Sequence, residues 1–113
     1  MKTIVAGSRS INDYNALVES IEACGWKPTT IVSGCASGVD RLGEIWAHKN
    51  NMPIERYPAQ WDKHGKQAGF LRNIQMAEHA DALIAIWDGK SPGTKHMIDT
   101  AHKNNLKTFI KII

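Results

Sequence analysis

Five short apolar runs alternate with longer stretches whose apolar residues recur at helical spacing. Thr3-Ile4-Val5-Ala6 is apolar without a break, which predicts a strand buried on both faces. A helix is expected from about Asn12 to Cys24, with Tyr14, Leu17, Val18 and Ile21 on one face and Gly25 as its stop signal. Thr29–Ser33 reads as a second strand. A helix entered near Ser37, the expected N-cap, follows; it sets Val39, Leu42 and Trp46 on one face and Gly43 toward the sheet. Pro53–Tyr57 is more polar and reads as an edge strand. Beyond a polar loop from Pro58 to Gly65, a helix over about Lys66–His79 is expected to turn Phe70, Ile74 and Ala77 inward. Ala82–Trp87 is the most apolar run of all. A helix opening at Thr94, with Met97, Ile98 and Ala101 inward, and a fifth strand from Leu106 to Ile112 complete the pattern.

Strict alternation of strand and helix predicts an α/β fold: one open parallel sheet with helices on both faces. Right-handed crossovers leave few topologies. Strand order 3-2-1-4-5 places the ends of strands one, two and four side by side at the switch point where such sheets bind ligands. Those three strand ends carry the small-residue loops. They are Gly7-Ser8-Arg9-Ser10, Ser33-Gly34-Cys35-Ala36-Ser37-Gly38-Val39-Asp40 and Asp88-Gly89-Lys90-Ser91-Pro92-Gly93-Thr94. Small residues let backbone N–H groups approach a ligand closely, and a helix N-terminus adds free donors and partial positive charge. The expected ligand is therefore an anion, above all phosphate.

Composition narrows this reading without redirecting it. The 113 residues make one domain, 42% apolar and 22% charged, so a soluble folded protein is expected. The net charge is +3, from −1 over residues 1–40 and +4 over residues 41–113. That bias suits an anionic ligand and falls short of a dedicated duplex-DNA stripe. Cys24 and Cys35 form neither a disulfide framework nor a zinc pattern, which fits a reducing cytoplasm. A thiol at a helix entrance, as expected of Cys35, has a lowered pKa. His48, His64, His79, His96 and His102 lack ligand spacing, so no metal is expected. No apolar run is long enough to span a membrane.

Taken together, these blocks resemble the SLOG superfamily, and within it the YspA-type (cpYpsA-related) branch. Gly7-Ser8-Arg9 is similar to the first-strand signature. Ser33-Gly34-Cys35-Ala36-Ser37-Gly38-Val39-Asp40 is similar to the SG-x-A-x-G-[IV]-D turn. Arg72-Asn73, Met76, Ala80-Asp81-Ala82 and Gly89-x-Ser91-x-Gly93-Thr94 complete the pattern, with Pro58-Ala59-Gln60-Trp61 and Gly65-Lys66-Gln67-Ala68-Gly69 fitting the same branch. The resemblance implies a single Rossmann-like domain that binds a nucleotide or a nucleotide-derived, ADP-ribose-like molecule. It also implies a homodimer or higher homo-oligomer. The LOG phosphoribohydrolases resemble one another in an Arg-Lys pair and a Gly-Gly-x-Gly-Thr-x-x-Glu motif. Here Asn73 replaces the Lys and Met97 stands where the catalytic Glu is expected.

Candidate ligand contacts are thus Gly7, Ser8, Arg9, Ser33, Gly34, Ala36, Ser37, Gly38, Asp40, Arg72, Asn73, Asp88, Gly89, Ser91, Gly93 and Thr94. Arg9 can offer a planar fork of donors to an anion. Arg72 serves either a ligand or a structural ion pair. Asp40 serves either as a helix cap or as an acceptor for a ribose hydroxyl. Trp61 is a candidate for base stacking, dimer contact or packing, and Trp87 for packing or base stacking. Trp26 and Trp46 are expected to pack in the core. The favoured function is binding of a nucleotide-type small molecule, for sensing or sequestration. One alternative is N-glycosidic hydrolysis of nucleotides, with Asp88 or Asp99 in place of the missing acid. The other is DprA-like binding of single-stranded nucleic acid, using Lys63, Lys66, Lys90 and Lys95 with Trp61.

Overall fold

A computed structural model describes all residues, 1–113. Its strands are β1 (Lys2–Gly7), β2 (Thr30–Ser33), β3 (Ile54–Arg56), β4 (Ala82–Trp87) and β5 (Lys107–Ile112). Its helices are α1 (Tyr14–Ala23), α2 (Val39–Lys49), the single-turn α3 (Trp61–His64), α4 (Ala68–Glu78) and α5 (Pro92–Lys103). All strand pairs are parallel and the order is β3-β2-β1-β4-β5, as the alternation predicts.

The sheet divides two cores by simple alternation of side chains along its strands. Val5 of β1 and Ile84 and Ile86 of β4 join Leu17 and Ile21 of α1 and Val39, Leu42 and Ala47 of α2 on one face. Ile4, Ala6, Leu83 and Ala85 face the other way, against Met76 and Ala77 of α4 and Met97, Ile98 and Ala101 of α5. β1 and β4 are central and buried on both faces, which is why their sequences are unbroken apolar runs. Trp26 and Trp46 pack against the first core, and the Trp26 indole N–H donates to Thr3 Oγ1 at 3.0 Å.

Several elements depart from the expected boundaries. The loop after β3 winds into α3 and a 3-10 turn over Gly65–Gln67. α2 starts one residue later than a Ser37 cap would place it: its N-cap is Gly38, which offers no side chain. α5 starts two residues before Thr94, because Pro92 is preorganised for the first helical position and Ser91 precedes it as N-cap. The inward face of α4 is also different. Ala77 is buried, but Phe70 and Ile74 are 44% and 40% exposed. Ala68, Asn73, Met76 and Ala77 turn inward instead. A polar residue holds a core position because the Asn73 amide donates to Gly93 O at 3.2 Å and lies 3.2 Å from His96 Nδ1. That satisfied amide hides the buried stripe from a hydropathy reading.

Gly43 seats α2 against β1: a Cβ there would lie 2.8 Å from Val5 Cβ and Cγ1. Val5 is fully buried and cannot yield without disturbing the sheet. Gly43→Val should therefore cost about 2–3 kcal/mol through overpacking. Val is no worse than Gly as a helix former, so the loss reports packing. Urea denaturation measures it, and a variant as stable as the parent would contradict the close approach.

Candidate functional site

The C-terminal ends of β2, β1 and β4 lie side by side, and the loops leaving them enclose a cleft of about 440 Å³. Gly7, Ser8 and Arg9 contribute from the first loop, Ala36 and Asp40 from the second, and Ser91, Gly93 and Thr94 from the third. Arg72 and Asn73 of α4 and Trp61 of α3 close the far side. A smaller compartment of about 250 Å³ adjoins it, lined by Gly34, Cys35, Ala36 and Ser37 with Pro58 and Ala59. Arg9, Ala36, Trp61 and Arg72 border both. Ser33, Gly38, Asp88 and Gly89 do not line either space. They shape the loops from behind.

The first and third loops are sewn together by hydroxyls. Buried Ser8 accepts from Asp88 N–H at 3.1 Å, and its hydroxyl shares a hydrogen bond with the Ser91 hydroxyl at 3.1 Å. Asp88 accepts from the N–H groups of Lys90 and Ser91, both at 2.8 Å, and from Ser91 Oγ–H at 3.0 Å. These bonds, led by the two backbone donors, hold its carboxyl down at about 2. Asp88 is a loop anchor whose lone pairs are already engaged, and a weakly basic one. Asp99 is ion-paired to Lys95 at 2.8 Å on the exposed flank of α5 and is absent from the cleft wall. Trp87 is half-buried against the second core and donates its indole N–H to Ser91 O at 3.1 Å, so it packs outside the cleft.

The second loop carries the site's main electrostatic feature. Its tight course takes Cys35 and Gly38 to φ of 65° and 75°. At Gly38 a Cβ would also sit 2.5 Å from the carbonyl oxygens of Ser8 and Arg9, so only glycine lets the first two loops touch. Ser33 donates to Glu44 Oε2 at 2.7 Å and accepts from Cys35 N–H at 3.1 Å. Asp40 is 5% exposed and accepts from Ala36 N–H at 3.3 Å, capping the turn before the helix rather than the helix itself. Arg72 reaches across from α4 and donates to the Gly34 carbonyl and, at 3.2 Å, to Asn73 Oδ1. Burial pushes the Asp40 carboxyl up to about 6, against the opposing pull of Arg72. Burial likewise lowers the Arg72 guanidinium, and the like charge of Arg9 lowers it further. Neither arginine forms an ion pair with an acid. The Cys35 thiol is pushed up by burial and by Glu44, opposite to the expectation from a helix entrance, because α2 begins only at Val39.

The profile of the YspA, cpYpsA-related SLOG family matches residues 1–64, more than half the chain. The chain belongs to that family. It is also 33% identical to the Gene 61 protein of Mycobacterium phage D29, over 90% of this chain and 89% of that protein. Among solved structures it is similar to DNA processing protein A (DprA) from Streptococcus pneumoniae, with a TM-score of 0.78 over 96% of this chain at 18% identity. This chain spans about half of that one, 49%, and the likeness is one of fold.

In this SLOG cleft the third wall is the start of α5. Pro92 has no N–H, the first helical bond runs from Lys95 N–H to Ser91 O, and no side chain caps the helix. The Gly93 and Thr94 N–H groups are thus left without intrahelical partners. Residues not expected to contact a ligand are Gly69, Phe70, Met76 and Met97, and Lys66 is expected only for the nucleic-acid alternative; all lie on the cleft wall. Phe70 stacks on His96 with ring centroids 4.3 Å apart, and burial lowers the His96 pKa. Trp61 is 49% exposed beside it. The signal for Phe70 lay one turn before Asn73, on a stripe assigned to the core. No three His, Cys, Asp or Glu side chains gather as a metal site would require.

The Asp88 anchor carries a defined acid sensitivity. Its folded pKa lies below the ordinary carboxylate value of 3.8, so its stabilisation is fully present above about pH 4 and is lost as pH falls through about 2. Amide shifts of Lys90 and Ser91, followed by NMR during acid titration, should move together with a midpoint near 2. A midpoint at the ordinary value would show that these bonds do not form.

Proposed function

We propose that the cleft binds a nucleotide or nucleotide-derived phosphate ligand of the ADP-ribose type, and that the protein senses or sequesters it. The observation that carries this reading is the presence of two arginines, Arg9 and Arg72, neither in ion-pair contact with an acid, in one cleft. Two like charges held in one cleft are relieved by an anion. The free N–H groups of Gly93 and Thr94 supply directed donors for phosphate oxygens. Trp61 and Phe70 supply flat apolar surface for a base. Membership of the SLOG family supports a nucleotide- or nucleic-acid-related role. Binding is favoured over hydrolysis because Asp88 is saturated with hydrogen bonds and Asp99 stands outside the cleft.

Thermal-shift measurements with AMP, ADP, ADP-ribose and NAD, against adenosine as the phosphate-free control, test the reading. A phosphate-bearing ligand should raise Tm where adenosine does not. Arg9→Ala should weaken binding about 10- to 100-fold, the worth of one charge-assisted hydrogen bond. No stabilisation by any phosphate-bearing compound would remove the proposal.

A further inference from the structure

We propose that Asp40 meets the bound anion as the neutral acid, donating its O–H to a phosphate oxygen, so that ligand entry takes up one proton. This rests on the reading of the cleft as a phosphate-ligand site. Asp40 lines that cleft with Arg72, and the two meet where Gly34 has no side chain: a Cβ on Gly34 would lie 2.6 Å from Arg72 Nη1 and 2.8 Å from Asp40 Oδ2. An anion seated on Arg72 therefore lies within a few ångströms of the Asp40 carboxyl. One well-formed hydrogen bond reaches that carboxyl, from Ala36 N–H, with the Gly7 N–H nearby. It leaves acceptor or donor capacity directed at the cleft.

The charged and titratable neighbours decide which form survives. α4 supplies Arg72, the one cation acting on the carboxyl, and the first loop adds Arg9 to the cleft wall. α2 itself supplies Glu44, whose charge opposes ionisation. The second loop supplies Cys35, whose thiol stays protonated at neutral pH because burial raises it. Lys66 stands on the wall formed after α3. In the free protein, burial outweighs Arg72 and raises the carboxyl to about 6, so at neutral pH it is still mostly ionised and has a proton to take up. A phosphate beside it adds a like charge and draws on the same guanidinium, and both effects favour the protonated form. Two anions side by side repel, whereas a neutral carboxyl and an anion share a hydrogen bond. The opposite role, an ionised Asp40 accepting from a ribose hydroxyl, is the competing outcome of the test.

Calorimetric titration with ADP-ribose decides between them, because its diphosphate diester does not titrate over about pH 6 to 8. The wild-type protein should take up close to one proton, read from the dependence of the binding heat on buffer ionisation enthalpy. Its affinity should fall about tenfold per pH unit in the upper part of that range. Asp40→Asn, neutral at every pH, should lose both the slope and the proton uptake, whatever its affinity. The wild-type proton count stands alone if that variant does not fold. Binding with no proton uptake, or with affinity rising with pH, overturns the inference and leaves the phosphate-site reading intact. Failure of ADP-ribose to bind at any pH overturns the inference too, and the broader nucleotide panel then shows whether the underlying reading survives.

Discussion

The cleft depends on one buried electrostatic arrangement: Arg72 and Asp40 brought together in the space that Gly34 leaves by having no side chain. Arg72 ties α4 to the second loop through the Gly34 carbonyl, while Asp40 ties the base of α2 to the same loop through Ala36. The two elements approach from opposite faces of the sheet. The second loop is also held by the Ser33 hydroxyl, by Tyr57 N–H on Ser33 O and by Leu42 N–H on Gly38 O. Each charge is poorly solvated, and the pair falls short of ion-pair contact. Such a pair is weak evidence for stability and better evidence for function, since buried ionisable groups are retained where they act.

Around it the remaining walls are built from ordinary, fully satisfied chemistry. The Ser8–Asp88–Ser91 cluster locks the first and third loops with neutral and charge-assisted hydrogen bonds. Asn73 locks α4 to the start of α5. Loops fixed in this way leave little ordering to be done on binding of any ligand in the cleft. The groups left with spare capacity are those facing the cleft: the two guanidinium groups, the Gly93 and Thr94 amides, and Asp40. A site whose structural polar groups are saturated and whose cleft groups are not is preorganised for an outside partner.

Family membership and geometry constrain the function at different depths. The SLOG family points to a nucleotide- or nucleic-acid-related role, and the likeness to DprA is one of fold. The residues give what neither comparison holds. Met97 and Asn73, where hydrolases of the superfamily resemble one another in an acid and a lysine, line the cleft as an apolar and an amide group. The carboxyl that does face the cleft is Asp40, on a different loop.

Much of this was legible in the chain alone, because local physics wrote it there. The apolar runs of β1 and β4 follow from burial on both faces, and the small residues at three strand ends follow from backbones that must approach closely. Alternation of strand and helix, with right-handed crossovers, then leaves the observed strand order. What required the folded molecule were facts about long-range partners. Phe70 and Ile74 read as core because their spacing is helical, and they lie outside because Asn73 finds an acceptor on α5 and claims the inward stripe. Asp88 read as a ligand contact or a stand-in for the missing acid, and it is an anchor because the turn it sits in folds its own N–H groups back onto it. Asp40 read as a cap or a ribose acceptor, and its protonation is governed by burial and by Arg72, thirty-two residues away in the chain. Periodicity records which side of an element faces apolar surroundings; it carries no record of which polar group waits on the other side of the fold.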